Sequence, residues 1–399
     1  MMKKSILIAA LGLFSLNITA QDAPKEEGFV FTTVKENPIT SIKNQNRSST
    51  CWSFSSLGFL ESELLRMGKG EYDLSEMFVV HHTMVDRAQN YVRYHGDSSF
   101  SPGGSFYDIM FCLKNYGLVP QEAMPGIMYG DTLPVHNELD AVAGAYTNAI
   151  AKGKLTKLSP VWKNGLSAIY DTYLGKCPEK FTYKGKEYTP QSFTESLGLN
   201  MDDYVELTSF THKPSYETFS PEVPDNWENQ PMYNLPLDEL IGAIDYALNK
   251  GYTVCWDGDV SEQGFSFKNG IAINPQVEDV KDYSTTDRAR FEKMPKYERM
   301  DEVFKFKHPY PEINVTPEIR QDGYEKFVTT DDHLMHITGI VKDQNGTKYY
   351  ITKNSWGADS NKSGGYLNMS ESYVRAKTIC VMVHKDSLPK ELKKKLGIQ

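Results

Sequence analysis

Cys51 stands where a polar loop, KNQNRSST, gives way to the pattern CWSFSSLGFLESELLRM. A thiol in that place can be a buried small hydrophobe, half of a disulfide, or a nucleophile. Phe54, Leu57, Leu60, Leu64 and Met67 recur at three- and four-residue spacing and Gly68 follows them, which predicts a helix from Cys51 to Met67 with Cys51 in its first turn. Backbone N–H groups at a helix start favour an anion, so this position predicts a thiol pKa lowered toward the thiolate. A thiolate that attacks a carbonyl needs a histidine as base, a group to orient that histidine, and a donor for the oxyanion. Gln45, six residues ahead, can supply that donor together with the backbone N–H of Cys51. The late segment TTDDHLMHITGIVKDQNGTKYYITKNSWG supplies the rest. It reads as a strand from His333 to Val341, a turn at DQNG, a second strand from Lys348 to Thr352, and then Asn354. Such a hairpin returns Asn354 to the level of His333, where its side-chain carbonyl can fix the ring.

The setting in which these residues work follows from composition. The chain has 399 residues, 40% hydrophobic and 24% charged, ordinary for a globular protein with a sizeable core. The first twenty residues, MMKKSILIAALGLFSLNITA, run from a basic start through an apolar stretch to small residues, the pattern of a cleaved secretory signal. A membrane anchor needs about 18 consecutive apolar residues, and the run from Ser5 to Ser15 is shorter. The expectation is therefore export, with no integral membrane segment after signal removal. The formal charge of −9 comes without a basic stripe, which excludes the electrostatic footprint of a nucleic-acid binder. There are five cysteines, Cys51, Cys112, Cys177, Cys255 and Cys380, so at least one stays unpaired, and the surroundings of the last four suggest free thiols. His81 and His82 lack a second ligand pair at metal spacing, and no CxxC, P-loop or GxSxG elbow occurs, so neither metal nor cofactor is expected.

Five segments in order resemble the papain-like cysteine peptidases: QNRSSTCWSF, LSEMF from Leu74, GGSFYDIMFCLKNYGLVP from Gly103, DDHLMHITGI, and KNSWG. The resemblance covers about residues 40 to 125 and 325 to 385, the two halves that face each other across the cleft in that family. It implies an α+β, two-lobed fold, a helical lobe plus a β-barrel-like lobe, with a large insertion. It implies Cys51 as nucleophile, Gln45 as oxyanion donor, Asn354 as the group that orients the base, Gly103 and Gly104 as substrate-binding backbone, and Trp356 as a shield over the His–Asn hydrogen bond. For the base it selects His333, six residues before Gly339; His336 lies three further along the strand and points to the opposite face.

Departures from secreted papain-type enzymes point to the bleomycin hydrolase and aminopeptidase C branch. Ser48 replaces the cysteine those enzymes carry three residues before the nucleophile, and the stretch between Ala20 and Gln45 is too short for their propeptide. LSEMFVVHHTMVDRAQNYV and NLPLDELIGAIDYALNKGYTVCWDGDV are similar to that branch, the second reading as an amphipathic helix ended near Gly251 and followed by a strand. The expected organisation is a signal over 1–20, the helical lobe over 21–125, the insertion plus the start of the second lobe over 126–320, and the β lobe over 321–399. Within the insertion, ELDAVAGAYTNAIAKG and VWKNGLSAIYDTYLG read as helices, and YKGKEYTPQ and KPSYETFSPEVPDNWENQP as hairpin or loop. The branch uses such insertions to build a hexamer, so the resemblance implies a homo-oligomer. It also implies a terminal carboxylate that enters the cleft and selects substrates with a free amino end. This chain's HKDSLPKELKKKLGIQ lacks the apolar extension that reaches that far, and KELKKK reads as a solvated helix. The activity expected is hydrolysis of peptides, as an aminopeptidase. An open-cleft endopeptidase, a peptide-binding homologue without turnover, and a crosslinking acyltransferase of the transglutaminase type are the alternatives.

Overall fold

The structure is a computed structural model that describes residues 28–399. The proposed signal over 1–20 lies outside the described residues. No helix among the described residues is long and apolar enough to cross a membrane.

Helix α1, Cys51–Arg66, runs through the middle of the molecule. Its apolar stripe is the one the spacing predicts, and it ends one residue short of the predicted bound. Gly68 at φ +73° then lets the N–H of Lys69 reach back to the carbonyl of Leu64 at 2.9 Å, a left-handed stop that a side chain would resist. The opposite face differs from expectation. Fourteen of the sixteen residues are buried, including Ser53, Ser55, Ser56, Glu61, Ser62 and Glu63. A polar helix face can be covered only if its groups are hydrogen-bonded there.

On one side of α1 lie α2, Glu76–Arg93, capped by Ser75, whose hydroxyl accepts from the N–H of Phe78, and α3, Phe106–Asn115. The insertion adds α4, Asn137–Lys152, and α5, Trp162–Leu174, which pack on α2, and α6, Pro190–Leu197. On the other side, against α1, is a sheet backed by α7, Leu237–Asn249. In chain order the strands are β1 Thr32–Glu36, β2 Phe181–Tyr183, β3 Lys186–Tyr188, β4 Tyr204–Thr208, β5 Thr218–Phe219, β6 Met232–Asn234, β7 Val254–Gly258, β8 Phe265–Ser266, β9 Ile271–Ala272, β10 His333–Lys342, β11 Lys348–Lys353, β12 Tyr366–Ser370 and β13 Thr378–His384. The sheet order is β5-β6-β4-β13-β7-β10-β11-β12-β9-β8, and β2 with β3 forms a small hairpin at YKGKEY, where the sequence left hairpin or loop open. The first half of β10 pairs with β7, from His333 opposite Gly258, and its second half with β1, from Gly339 opposite Glu36. The strand that brings His333 is therefore held on both flanks. The β10–β11 turn is closed by Asp343, whose carboxylate accepts from the N–H groups of Asn345 and Thr347, each at 2.9 Å.

The terminal helix Lys390–Leu396 is docked, which corrects the reading of KELKKK as solvated throughout. Leu392 and Leu396 are buried in the core beneath α7, each contributing about 1.5–3 kcal/mol, and Lys395 bonds Glu239 at 2.8 Å. Gln399 is carried to the surface there.

A buried charge cluster joins the two lobes. Lys43 Nζ lies 3.0 Å from Glu61 of α1 and 2.6 Å from Glu76 of α2, and Glu61 also accepts from Thr40 Oγ1 and from the N–H of Leu74. Lys353, at the end of β11, donates to the carbonyl of Thr40 at 3.1 Å. Breaking a buried pair by removing one partner leaves an uncompensated charge. Lys43→Met is expected to lower unfolding free energy by about 3–5 kcal/mol in a denaturant titration; a loss within the error of that titration would show the cluster to be dispensable.

Candidate active site

Cys51 opens α1, and the backbone N–H groups of Leu334 and Trp52 are turned to its sulfur. Leu334 is the neighbour of His333, so the first residues of α1 and of β10 meet at the thiol. His333 is buried, and its Nε2–H donates to Asn354 Oδ1 at 2.9 Å, which leaves Nδ1 for the sulfur. Asn354 is held in turn, its Oδ1 also accepting from the N–H of Ser355 at 2.7 Å. The Trp356 ring lies 4.8 Å from the His333 ring, tilted by 33°, and Phe267 meets its other side edge-on at 4.8 Å. It covers the His333–Asn354 bond from water.

Gln45 is buried close by, and its orientation is fixed by a residue the sequence reading passed over. Ser355 Oγ donates to Gln45 Oε1 at 2.6 Å, and the N–H of Gln45 donates to the carbonyl of Ser355 at 2.7 Å. With its carbonyl so occupied, Gln45 has its Nε2–H donors left for an oxyanion. The signal lay inside NSWG, one residue past the asparagine.

His336 is also buried, but it points away from Cys51, edge-on to Phe59 at 6.1 Å and beside Lys353. The structure thus brings Cys51, His333, Asn354, Gln45 and Trp356 together and leaves His336 apart.

Gly103 and Gly104 lie on the opposite wall of the cleft. The carbonyl of Gly103 accepts from Arg87 Nη1 at 2.5 Å, and a Cβ on Gly103 would stand 2.0 Å from Asp225 Oδ2. A Cβ on Gly104 would stand 2.7 Å from both Asp108 and the Trp52 ring. Close packing by protein side chains thus requires glycine at both places, and one of the carbonyls expected to face substrate is already taken. Arg87, fully buried on α2, was not singled out by any motif.

The electrostatics correct one expectation. Burial pushes the Cys51 thiol up to about 12, and the charges of Asp257 and Asp225 add to the rise against the two N–H groups that favour the thiolate. Burial likewise pushes the His333 imidazole down to about 4, in spite of the Asn354 hydrogen bond. The helix start acts in the direction the sequence suggests, but loss of solvation in a closed site outweighs it. Burial thus favours the uncharged form of both groups.

Away from this site, His81, His82 and Cys177 each place one ligand atom within 4.8 Å of the others. The third donor, Cys177, lies three residues past the end of α5, which spacing in HHT could not show. His81 Nε2 is committed to Asp171 at 2.8 Å, and His82 is stacked on Tyr116 at 3.9 Å. All five cysteines are free.

A helix that begins with a buried cysteine, set against a strand that begins with a histidine, is the papain-like arrangement. The profile described as "Peptidase C1-like family" matches residues 9–302 and 315–399, and the chain belongs to that family of cysteine-type peptidases. The chain is similar to aminopeptidase E of Lactobacillus helveticus, 23% identical, with 90% of this chain and 84% of that protein covered. It is similar to aminopeptidase C of the same organism, 24% identical over 91% and 85%. It is also similar to mitochondrial cysteine proteinase 1 of Saccharomyces cerevisiae, 21% identical over 93% and 80%. Among solved structures, PepW from Lactobacillus rhamnosis HN001 shares the fold, with TM-score 0.66, 20% identity, and coverage of 92% and 84%.

The lowered pKa of His333 gives a pH prediction. His333 gains a second proton as pH falls through about 4, so alkylation of Cys51 by iodoacetamide is expected to be lost there and to stay level above it. An acid limb near 6.5, the ordinary imidazole value, would show that burial does not set the pair's titration.

Proposed function

We propose that this protein is an exported aminopeptidase of the bleomycin hydrolase type that removes residues from the free amino end of peptides. The observation that carries the chemistry is the His333–Asn354 hydrogen bond at 2.9 Å beside Cys51, with Gln45 fixed across from it by Ser355. Aminopeptidases C and E among the relatives support the choice of substrate end. Export rests on the first twenty residues alone.

In this reading Cys51 passes its proton to His333 Nδ1 as the sulfur attacks the peptide carbonyl, so no separately formed thiolate is needed. The oxyanion is held by Gln45 Nε2–H and the Cys51 N–H. The imidazolium then gives the same proton to the leaving amine, and a water that loses its proton to His333 releases the acyl group. Asn354 keeps the ring aligned through both transfers, and Trp356 keeps water off the bond that aligns it.

The test is hydrolysis of two matched fluorogenic peptides, one with a free amino end and one acetylated. The free form is expected to be cleaved and the acetylated form left nearly intact, with Cys51→Ser inactive on both. Comparable cleavage of the two forms would make this an endopeptidase, and turnover by Cys51→Ser would remove the mechanism. The resemblance further supports a homo-oligomer, a hexamer, expected as one heavy species in sedimentation velocity; a monomer across micromolar concentrations would exclude it.

A further inference from the structure

A second group of reactive side chains, outside the Cys51 site, lies where the insertion meets α2. His81 and His82 are on α2 and Cys177 follows α5, and each brings one ligand atom to within 4.8 Å of the other two. Two imidazoles and a thiol are donors that suit zinc. Around a tetrahedral zinc ion such ligand atoms stand about 3.3–3.6 Å apart, from Zn–N and Zn–S bonds of about 2.1 and 2.3 Å. The three donors must therefore close by no more than about 1.5 Å, a distance that side-chain torsions cover.

The surroundings of the three donors are those of metal ligands. The His81 side chain is 5% exposed, and its two nitrogens are treated differently. Nε2 lies 2.8 Å from Asp171 Oδ1, whereas Nδ1 is buried with no hydrogen-bond partner among the described residues. A buried nitrogen without a partner costs free energy, and a bound ion that takes its lone pair removes that cost. An imidazole that gives one N–H to a carboxylate keeps a lone pair on its other nitrogen, and this pairing fixes the tautomer and orientation of a metal-binding histidine. The His82 ring is held by stacking on Tyr116, at 3.9 Å with the planes 12° apart, and Tyr116 is anchored in turn by donating to Asp86 at 2.6 Å. Both histidines and Cys177 line a cleft of about 410 Å³, which gives an ion its way in and leaves room for a water. Lys163 and Lys176 on the same cleft are matched in charge by Asp86 and Asp171.

We propose that His81, His82 and Cys177 bind one zinc ion, with Asp171 orienting His81 and a water from the cleft in the fourth place. This departs from the expectation drawn from the HHT spacing, which lacked the donor that the chain after α5 supplies. As the sulfur binds the ion, its proton passes to solvent; the thiolate and Asp171 then carry two negative charges against the two positive charges of the ion. Zinc suits the set because its filled d shell imposes no geometry of its own. The ion ties α2 to the chain that leaves α5, and so clamps the insertion to the helical lobe. Nothing in the reaction at Cys51 depends on it.

The experiment measures metal binding by the full chain carrying Cys51→Ser, so that the catalytic thiol holds no ion, after dialysis against a chelator. Titration with Co2+, a coloured substitute for zinc, is expected to give one equivalent per chain and a thiolate-to-cobalt charge-transfer band that Zn2+ then abolishes by displacement. Adding Cys177→Ser is expected to remove the band. Adding His82→Phe, which keeps a ring on Tyr116, is expected to weaken binding by about 100-fold or more, and Asp171→Asn, which leaves all three ligands, by about 10- to 100-fold. No band in the parent chain, or a band that survives Cys177→Ser, would overturn the site, as would unchanged affinity in His82→Phe. Should the variants misfold by circular dichroism, alkylation of Cys177 by iodoacetamide in the parent chain decides, read by mass spectrometry. Slowing of that alkylation by one equivalent of Zn2+ supports the site, and an unchanged rate overturns it.

Discussion

The buried contact between Lys43 and the carboxylates of Glu61 and Glu76 is the constraint on which the rest is hung. It fixes the loop from Thr40 to Thr50 to two helices at once, and Lys353 extends the same cluster to the end of β11. Gln45 lies on that loop and Asn354 follows Lys353 directly. A side chain that donates to an oxyanion and a side chain that orients an imidazole are thus anchored by one set of charges, although they come from opposite ends of the chain. Such an arrangement costs desolvation of every ion in it. What it secures is relative position, on the scale of the hydrogen bonds at 2.6 and 2.9 Å that link Ser355, Gln45, Asn354 and His333.

The nucleophile is a balance of two opposed effects of the same location. Trp52 at the start of α1 and Leu334 of β10 each turn an N–H to the sulfur, and the closing of two lobes over it removes the water that would solvate a thiolate. Burial outweighs those N–H groups, and it acts on His333 also, so for both members of the pair it favours the uncharged form. The insertion packs on α2 through α4 and α5, and α2 carries Arg87, the buried residue that holds both the Gly103 carbonyl and Asp225.

Much of this was legible in the sequence because it is local. The bounds of α1, the β10–β11 hairpin, α7 with β7, and the small hairpin at Phe181–Tyr188 all follow from spacing and turn chemistry within a few dozen residues. What escaped is non-local. Ser53, Ser55, Ser56, Glu61 and Glu63 look like a solvent face until the sheet is seen to cover them. Asp225 sits in a stretch whose composition says only loop, and nothing in that stretch shows that Arg87, Gly103 and Asp331 surround it. The rise in the Cys51 pKa could not be read for the same reason, because burial is a property of both lobes together. The terminal lysines were misjudged through their charge, when two leucines between them decide where the helix lies.

The pairing of β1 with β10 joins Thr32 to Lys342, one near the start of the described chain and the other near its end. While the chain is being synthesised, β1 leaves the ribosome with no partner, and the strand that must cover it is among the last made. Contacts of such long sequence separation are slow to form, because loop closure must precede any gain from them. This pairing therefore forms late relative to the local hairpins. Until then β1 presents an unpaired edge, so the order in which the sheet closes is set by the distance along the chain between its partners.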